Sequence, residues 1–547
     1  MIPPMTRRHL AWIACIVVAL ASIALALAVS PHWWWPAAVA GALSLLGLAD
    51  VMQRTSTLRQ LYPVLAHFRY GLESVGPEIR QYFIERDTDE VPFSREQRAL
   101  VYQRAKQVQD TVPFGTLHDV YGSSYEWINH SLVPTHLESA DFRVRIGGGG
   151  PAPHEASVFN ISAMSFGSLS ANAIRALNLG AKLGGFHHDT GEGSISSYHR
   201  EYGGDLVWEI GSGYFGCRDA EGRFDPERFA ANAADPQVRM IEIKLSQGAK
   251  PGHGGVLPGV KVTPEIALAR GVPVGEDCVS PAQHSAFGSP LGLLEFVERL
   301  RRLAGGKPVG FKLAIGHPWE WFAVAKAMRE SGIMPDFIVV DGAEGGTGAS
   351  PVEFMNHIGV PMQEALMLVH NTLVGLDLRD RVRVAAAGKI TSAFDIARTL
   401  AIGADFVNAG RAFMFALGCI QSRNCHNDTC PTGIATQDPR RWKHLDVEDK
   451  AHRVANYHRN TLVGLRDLLC AAGLSSPAAL GPEHIVRRAS PMHVASLAKS
   501  FQFLQPGELL SSIPERHAVF KAFWAVARPD TFAPPPRVME MRASKSR

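Results

Sequence analysis

"AAAGKIT" (385–391) and "VNAGRAF" (407–413) decide how the chain is expected to fold. Each is an apolar, strand-like run ending on glycine and a cation, and one helical stretch separates them. This recurrence fits the last two strand ends of a (β/α)8 barrel, where backbone N–H groups and helix N-termini hold a phosphate. Gly388 and Gly410 would let the backbone approach, while Lys389 and Arg411 add positive charge. Either motif alone reads equally well as ordinary loop glycine. The pair favours the phosphate site.

Outward from these motifs, short β-branched runs at 158–163, 240–245, 309–314, 337–340, 382–386 and 406–409 alternate with helical segments at 171–183, 291–303, 319–331 and 392–402. Alternation of this kind indicates a parallel α/β domain. Six strands are legible where a barrel needs eight, so periodicity alone does not separate a barrel from a doubly wound sheet; the paired glycines do. The expected fold is an α/β, (β/α)8 TIM barrel over 157–440, with an N-terminal transmembrane hairpin and flanking helical segments. A helical segment over 60–156 precedes the barrel, with Ser94 and Gln97 at capping-box spacing. A helical region over 441–527 follows, with an apolar stripe through Val454, Leu462, Leu465 and Leu469 that stops at Gly473. The Pro- and Arg-rich tail, 528–547, is expected to be disordered.

The N-terminus differs in kind. Residues 10–29 carry no charge and are long enough to cross a bilayer core of about 30 Å. A second uncharged run, 33–49, follows after three residues, and Trp33, Trp34 and Trp35 suit an interface. Arg7 and Arg8 precede the pair, and Arg54 and Arg59 follow it. The positive-inside rule then puts a two-span anchor (1–59) in the inner membrane with the catalytic mass in the cytoplasm. The competing reading is a twin-arginine export signal at "TRRHL" (6–10). A net charge of +3 is too small to argue for nucleic acid.

Three of the seven cysteines crowd into "CIQSRNCHNDTCPTGIATQ" (419–437), spaced C-x5-C-x4-C-P. Zinc sites usually show paired C-x2-C ligands, whereas soft thiolates followed by proline suit an iron–sulfur cluster. Zinc with His426 as fourth ligand, and plain buried thiols, stay open as alternatives. The scattered Cys15, Cys217, Cys278 and Cys470 argue for a reducing compartment.

Several strings in order carry a resemblance: "SAMSFGSLS", "TGEG", "QGAKPGHGGVLPGVKV", "DGAEGGTGASP", "AAGKI" and "CPTGIATQ". From about 158 to 437 the chain resembles the FMN-binding synthase domain of glutamate synthases, and as a whole it resembles their stand-alone, membrane-anchored relatives. The resemblance implies a barrel with FMN at its C-terminal mouth and a [3Fe-4S] cluster held by Cys419, Cys425 and Cys430. Met164, Ser165 and Gly167 match the segment against the flavin ring, and Gln247 and Lys312 match polar groups at its edge. Gly345, Gly346 and Thr347 match a loop closing on ring and phosphate, with Gly388, Lys389, Gly410 and Arg411 at the phosphate itself. Lys250 and Arg270 match cations for an oxo acid, and Glu192 matches an acidic pocket residue suited to ammonia or an imine proton. The catalytic group is thus Glu192, Lys250, Arg270 and Lys312. One departure is Val256, where the family commonly has a glutamine that contributes to the oxo-acid pocket.

The implied activity is reductive amination of a 2-oxo acid, 2-oxoglutarate to glutamate. Neither a glutaminase nucleophile nor a GxGxxG unit is legible, so the expected nitrogen source is free ammonia or an amine. Electrons are expected from a partner such as a ferredoxin or a flavoprotein reductase, and a homo-oligomer is among the expectations. The rivals are a glutamate-dependent amine transferase, similar to N-methylglutamate synthases, and a membrane-docked flavin/iron–sulfur electron carrier.

Overall fold

The structure, a computed structural model, describes residues 7–53, 56–89, 92–108 and 110–535. It divides into two units, Met1–Arg86 and Asp87–Arg547. In the first, helices Leu10–Ala28 and Trp34–Met52 form a hairpin, and both are long and apolar enough to cross a membrane. The pair is keyed by Trp12, whose Nε1 donates to the Ser44 carbonyl at 2.8 Å. Gly47 lies under that indole, where a Cβ would come within 2.1 Å of the ring. At the end of the second helix, Asp50 accepts from the Val64 N–H at 3.0 Å and pairs with His67 at 2.8 Å. Of the positive charges weighed for orientation, Arg54 lies outside the described residues, as does Thr6 of the export-signal motif.

The second unit is built on a closed barrel of eight parallel strands in chain order. They are β1 (Phe159–Ile161), β2 (His188–Asp189), β3 (Leu206–Ile210), β4 (Val238–Lys244), β5 (Val309–Leu313), β6 (Phe337–Asp341), β7 (Arg383–Ala387) and β8 (Phe406–Ala409). Closure comes from β8 against β1, with Val407 opposite Phe159. The two strands illegible in the sequence are β2 and β3. The first is two polar residues long, and the second has only three apolar residues, 206–208, before Glu209 turns into the barrel. The legible helices form as expected: Ala171–Gly184, Pro290–Leu303, Pro318–Ser331 and Ala393–Ala401.

Strand alternation sends every second side chain inward. At the N-terminal end these are Val207, Met240, Phe337, Val339, Ala385 and Phe406, and they form one apolar cluster with Ile146 and Ala156. The last two belong to a hairpin, Arg143–Ile146 paired with His154–Ser157, that plugs the barrel floor. The glycine–proline stretch after Ile146 is its turn. Gly147 has φ +73° there, and a Cβ would meet Pro308 at 2.6 Å.

The reading of 60–156 as helical holds only to Lys106. Helix Arg95–Lys106 has the Ser94–Gln97 capping box, but beyond it the chain runs as loop and short strands. Likewise 441–527 is not wholly helical. Helix Val447–Ala472 buries its stripe against Ala171–Gly184 and ends at left-handed Gly473. Strands Ile485–Ser490 and His493–Ser496 then join Glu126–Ile128 in a sheet. The pairing of Glu126–Ile128 with Ile485–Ser490 joins the two stretches across most of the chain, which local periodicity does not reveal. Within the tail the Pro529 carbonyl accepts from the Leu291 N–H at 3.3 Å, so its first residues are placed on the barrel; 536–547 lie outside the described residues.

Candidate active site

Above the apolar floor the barrel interior turns ionic. Lys312 on β5 is fully buried, its Nζ 3.1 Å from Glu209 Oε2 on β3. Glu242 is the cross-strand neighbour of Glu209, and Asp189 completes a set whose carboxylate oxygens lie within 4.8 Å of one another. Burial alone would lower the Lys312 ammonium, but Glu209, Asp341, Glu242 and Asp189 together hold it well above its ordinary range. Burial, aided by Glu209, pushes Asp189 up to about 7. Burial, aided by Asp189, lifts Glu242 well above a normal carboxyl.

At the C-terminal mouth, Glu192 sits on the loop after β2, and Lys244 at the end of β4 comes within 3.2 Å of it. Burial would raise Glu192, yet the charges of Lys244, Arg270 and Lys250 outweigh it and hold the carboxyl below its usual range. Lys244 also donates to Gln247 Oε1 at 2.6 Å. Sequence reasoning missed Lys244, because a lysine closing an apolar strand looks like a surface residue. Its inward parity with Met240 and Glu242 was the available signal. Lys250 donates to the Gly254 carbonyl at 3.0 Å, and burial lowers its pKa. Arg270 is not a surface helix-end charge. It is buried, donates to the Phe166 carbonyl at 3.1 Å, and lies 3.5 Å from Ser165 Oγ. Its guanidinium stands over the Phe215 ring, and its Nε has no partner among the described residues. Glu192, Lys250 and Arg270 therefore meet, together with Lys244, while Lys312 lies in the layer beneath.

Val256 is placed differently. It begins a short ribbon, Val256–Leu257 paired with Cys278–Val279. A Cβ on Gly255 would point at Glu192 Oε1, and Leu257 lies against Gly167. Alternation then turns Val256 to the opposite face with Val279, which is 62% exposed.

The expected flavin cradle also assembles at the mouth. A Cβ at Gly410 would meet Met164 Sδ at 3.5 Å, and one at Gly345 would meet the Ala249 nitrogen at 2.9 Å. At Gly345 the packing is too close for a side chain, whereas at Gly410 it is ordinary van der Waals contact. Gly410 opens helix Arg411–Leu417, whose first N–H groups have no intrahelical acceptor. A Cβ at Gly346 would meet Arg411 Nη1 at 3.3 Å. That guanidinium donates to the Glu344 carbonyl and stacks over Phe93, with Lys389 on the same ring. The Thr347 side chain donates no bond among the described residues; its carbonyl accepts from the Ser350 N–H. Near Gly388, the Glu344 carboxylate already caps helix Met362–Gly375 by accepting from the Met362 N–H at 3.1 Å. A phosphate would therefore rest on Gly410 and Arg411 more than on that helix. The inward Asn408 has a buried Oδ1 without a partner among the described residues. Backbone donors, a buried cation and an orphaned acceptor fit FMN.

The cysteine loop lies against the same mouth. A Cβ on Gly348 would meet the His426 nitrogen at 3.0 Å. Gln437 Nε2 donates to the Gly167 and Leu169 carbonyls, and Lys261 Nζ to those of Cys425 and Ala435. All three thiols are free and feel one another's charge. Burial pushes Cys419 up to about 12. At Cys430 burial is overcome by the Thr432 hydroxyl and the backbone N–H groups of Ala435, Thr432 and Ile434, and the pKa falls. Among the described residues the set gathered within 4.8 Å is the acidic one, not these sulfurs with His426. Three thiols in one loop, one of them ringed by N–H donors, fit an iron–sulfur cluster.

Residues 150–475 match the family described as the conserved region in glutamate synthase. The chain is 37% identical over 483 residues to the glutamate synthase large subunit-like protein YerD of Bacillus subtilis, covering 81% of this chain and 91% of that protein. It is 38% identical over 353 residues to the archaeal glutamate synthase (NADPH) of Methanocaldococcus jannaschii, covering 64% of this chain and 65% of that one. Among solved structures, a mutant flavocytochrome b2 with pyruvate bound aligns over 77% of this chain and 85% of its own, at 12% identity and a TM-score of 0.41. So loose a likeness carries no argument. The closed barrel together with these relatives makes the chain a TIM-barrel oxidoreductase acting on CH–NH2 donors. The chain belongs to the glutamate synthase family.

Proposed function

We propose that this chain catalyses FMN- and [3Fe-4S]-dependent reductive amination of a 2-oxo acid, 2-oxoglutarate to glutamate, with ammonia or an amine as nitrogen source. The observation that carries the reading is the gathering of Lys244, Lys250 and Arg270 around one carboxylate, Glu192. Three cations against one anion leave room for the two carboxylates of a dicarboxylic oxo acid. When bound, the flavin would supply two-electron reduction of a carbon–nitrogen double bond, and the cluster one-electron delivery. Arg270 orients a carboxylate through its fork, against a Phe215 face that excludes water. Lys250 neutralises the second carboxylate. Glu192, held ionised, accepts a proton from the incoming ammonium so that its nitrogen can attack. Lys244, fixed on a strand, keeps Glu192 aimed at that nitrogen. Cys419, Cys425 and Cys430 would hold the cluster beside the loop that begins at Met164.

The same reading places helices Leu10–Ala28 and Trp34–Met52 in the inner membrane, the catalytic unit in the cytoplasm, and a ferredoxin or flavoprotein reductase as electron donor. The test is anaerobic: reduce the purified protein, add 2-oxoglutarate with ammonia or with methylamine, and follow flavin absorbance. Reoxidation requiring both substrates is expected. Reduced flavin that neither pair reoxidises would overturn the reading in favour of an electron carrier.

A further inference from the structure

The barrel interior holds more acid than its lysine needs. Asp189, Glu209 and Glu242 come from three successive strands, so the closed barrel, not a flexible loop, brings their oxygens within 4.8 Å of one another. Glu209 pairs with Lys312. Glu242 has an oxygen within 4.8 Å of one on Asp189 and one on Glu209, and its buried Oε1 has no hydrogen-bond partner among the described residues. Asp341, the fourth acid facing Lys312, spends an oxygen on the Gly248 N–H at 2.8 Å. A divalent ion here would have to displace an ammonium already in place, so the cation of this site is the lysine. One ammonium does not neutralise three carboxylates in a medium this dry, and buried carboxyls held this close do not all ionise, so protons stay among them.

We propose that Asp189, Glu242 and Glu209 form a shared-proton carboxyl chain behind Lys312 and act as positioning residues. By holding protons, the chain sets the net charge that Lys312 presents to the mouth and, through it, the electron affinity of a flavin bound there. Glu209 is the ion-pair partner of the lysine, while Asp189 and Glu242 carry the protons. Burial pushes Asp189 up to about 7 and Glu242 well above a normal carboxyl, in agreement with this. Releasing a proton from the chain puts negative charge behind Lys312 and disfavours an electron-rich flavin. The inference rests on the flavin reading above.

Two measurements test it. Infrared spectra of the full-length protein, flavin-free or loaded, are expected to show a protonated-carboxyl C=O band at neutral pH. That band should fade as pH rises past Asp189's value and shrink in Glu242→Gln. Its absence from the wild type at neutral pH would overturn the proposal without any variant having to fold. Reductive titration of the loaded protein supplies the second readout. Glu209→Gln is expected to raise the flavin potential by uncovering Lys312, whereas Glu242→Gln, which mimics the protonated acid, leaves it unchanged. Asp189→Asn is expected to remove an inflection from the plot of potential against pH. Equal shifts in the two glutamine variants, or an unaltered inflection, would also sink it. Wild-type protein that binds no flavin defeats the flavin reading itself, and the infrared band still decides the proton chain.

Discussion

The two ends of the barrel are built from the same strands and do opposite things. Val207 and Glu209 are both inward on β3, Met240 and Glu242 on β4, and Val339 and Asp341 on β6. The lower member of each pair joins the apolar floor under the 143–157 hairpin, and the upper member joins the ionic layer beneath the mouth. Two residues along a strand is about 6.6 Å of rise, so the interior changes from hydrocarbon to buried charge within one layer. Buried charge is a poor way to stabilise a barrel. The floor supplies the stability that lets the upper layer be shaped by chemistry.

That contrast can be broken from either side. The largest effect is expected from Glu192→Gln, which removes the proton-accepting carboxylate of the mouth. Turnover should fall by roughly 10²–10⁴ with the melting temperature nearly unchanged, as stopped-flow and calorimetry would show. Phe337→Ala at the floor should do the reverse, costing about 3–5 kcal/mol of stability while leaving the KM for the oxo acid alone below the melting range. A floor variant that changes KM would show that the two layers are coupled. Next in size, Arg270→Lys keeps the charge but loses the fork, and should raise the KM for the oxo acid roughly ten- to a hundredfold with little change in kcat.

A pH series sharpens the comparison further. Burial lowers His458, on the barrel's outer wall, to about 3. Its unfolded value is about 6.5, so the unfolded chain binds the extra proton and stability is lost as pH falls from there toward 3. Asp189, inside, runs the other way. Its folded value of about 7 lies above the unfolded 3.8, so its contribution is full below 3.8 and is lost as pH rises through 7. Thermal midpoints should therefore fall in acid through the wall and in alkali through the ionic layer. His458→Gln should shorten only the acid limb. The smallest effect is expected at Val256→Gln, on the ribbon face turned from Glu192. Less than about 0.5 kcal/mol of change in stability and an unaltered oxo-acid KM are expected, and a marked drop in KM would show that the ribbon turns over on binding.

Much of the barrel was legible because apolar strands and amphipathic helices write their period locally. Six strands and four helices appear where the pattern puts them. The strands that escaped, β2 and β3, deliver Asp189 and Glu209 to the interior; the first is only two polar residues long, and in the second the acid follows just three apolar residues. Lys244 escaped because only the barrel's parity tells an inward lysine from a surface one. The floor hairpin and the sheet joining Glu126–Ile128 to Ile485–Ser490 depend on partners far along the chain.

The sequence by itself determined the α/β alternation, the two apolar helices at the N-terminus, the three cysteines in one loop and the family, because each is carried by residue type and local order. Only the tertiary structure decided which charges meet: Lys244 with Glu192, Lys312 with three carboxylates, and Val256 turned away. Those pairings follow from strand register and barrel closure, which fix facing residues from separate strands at a few ångströms and leave no mark in the order of the chain.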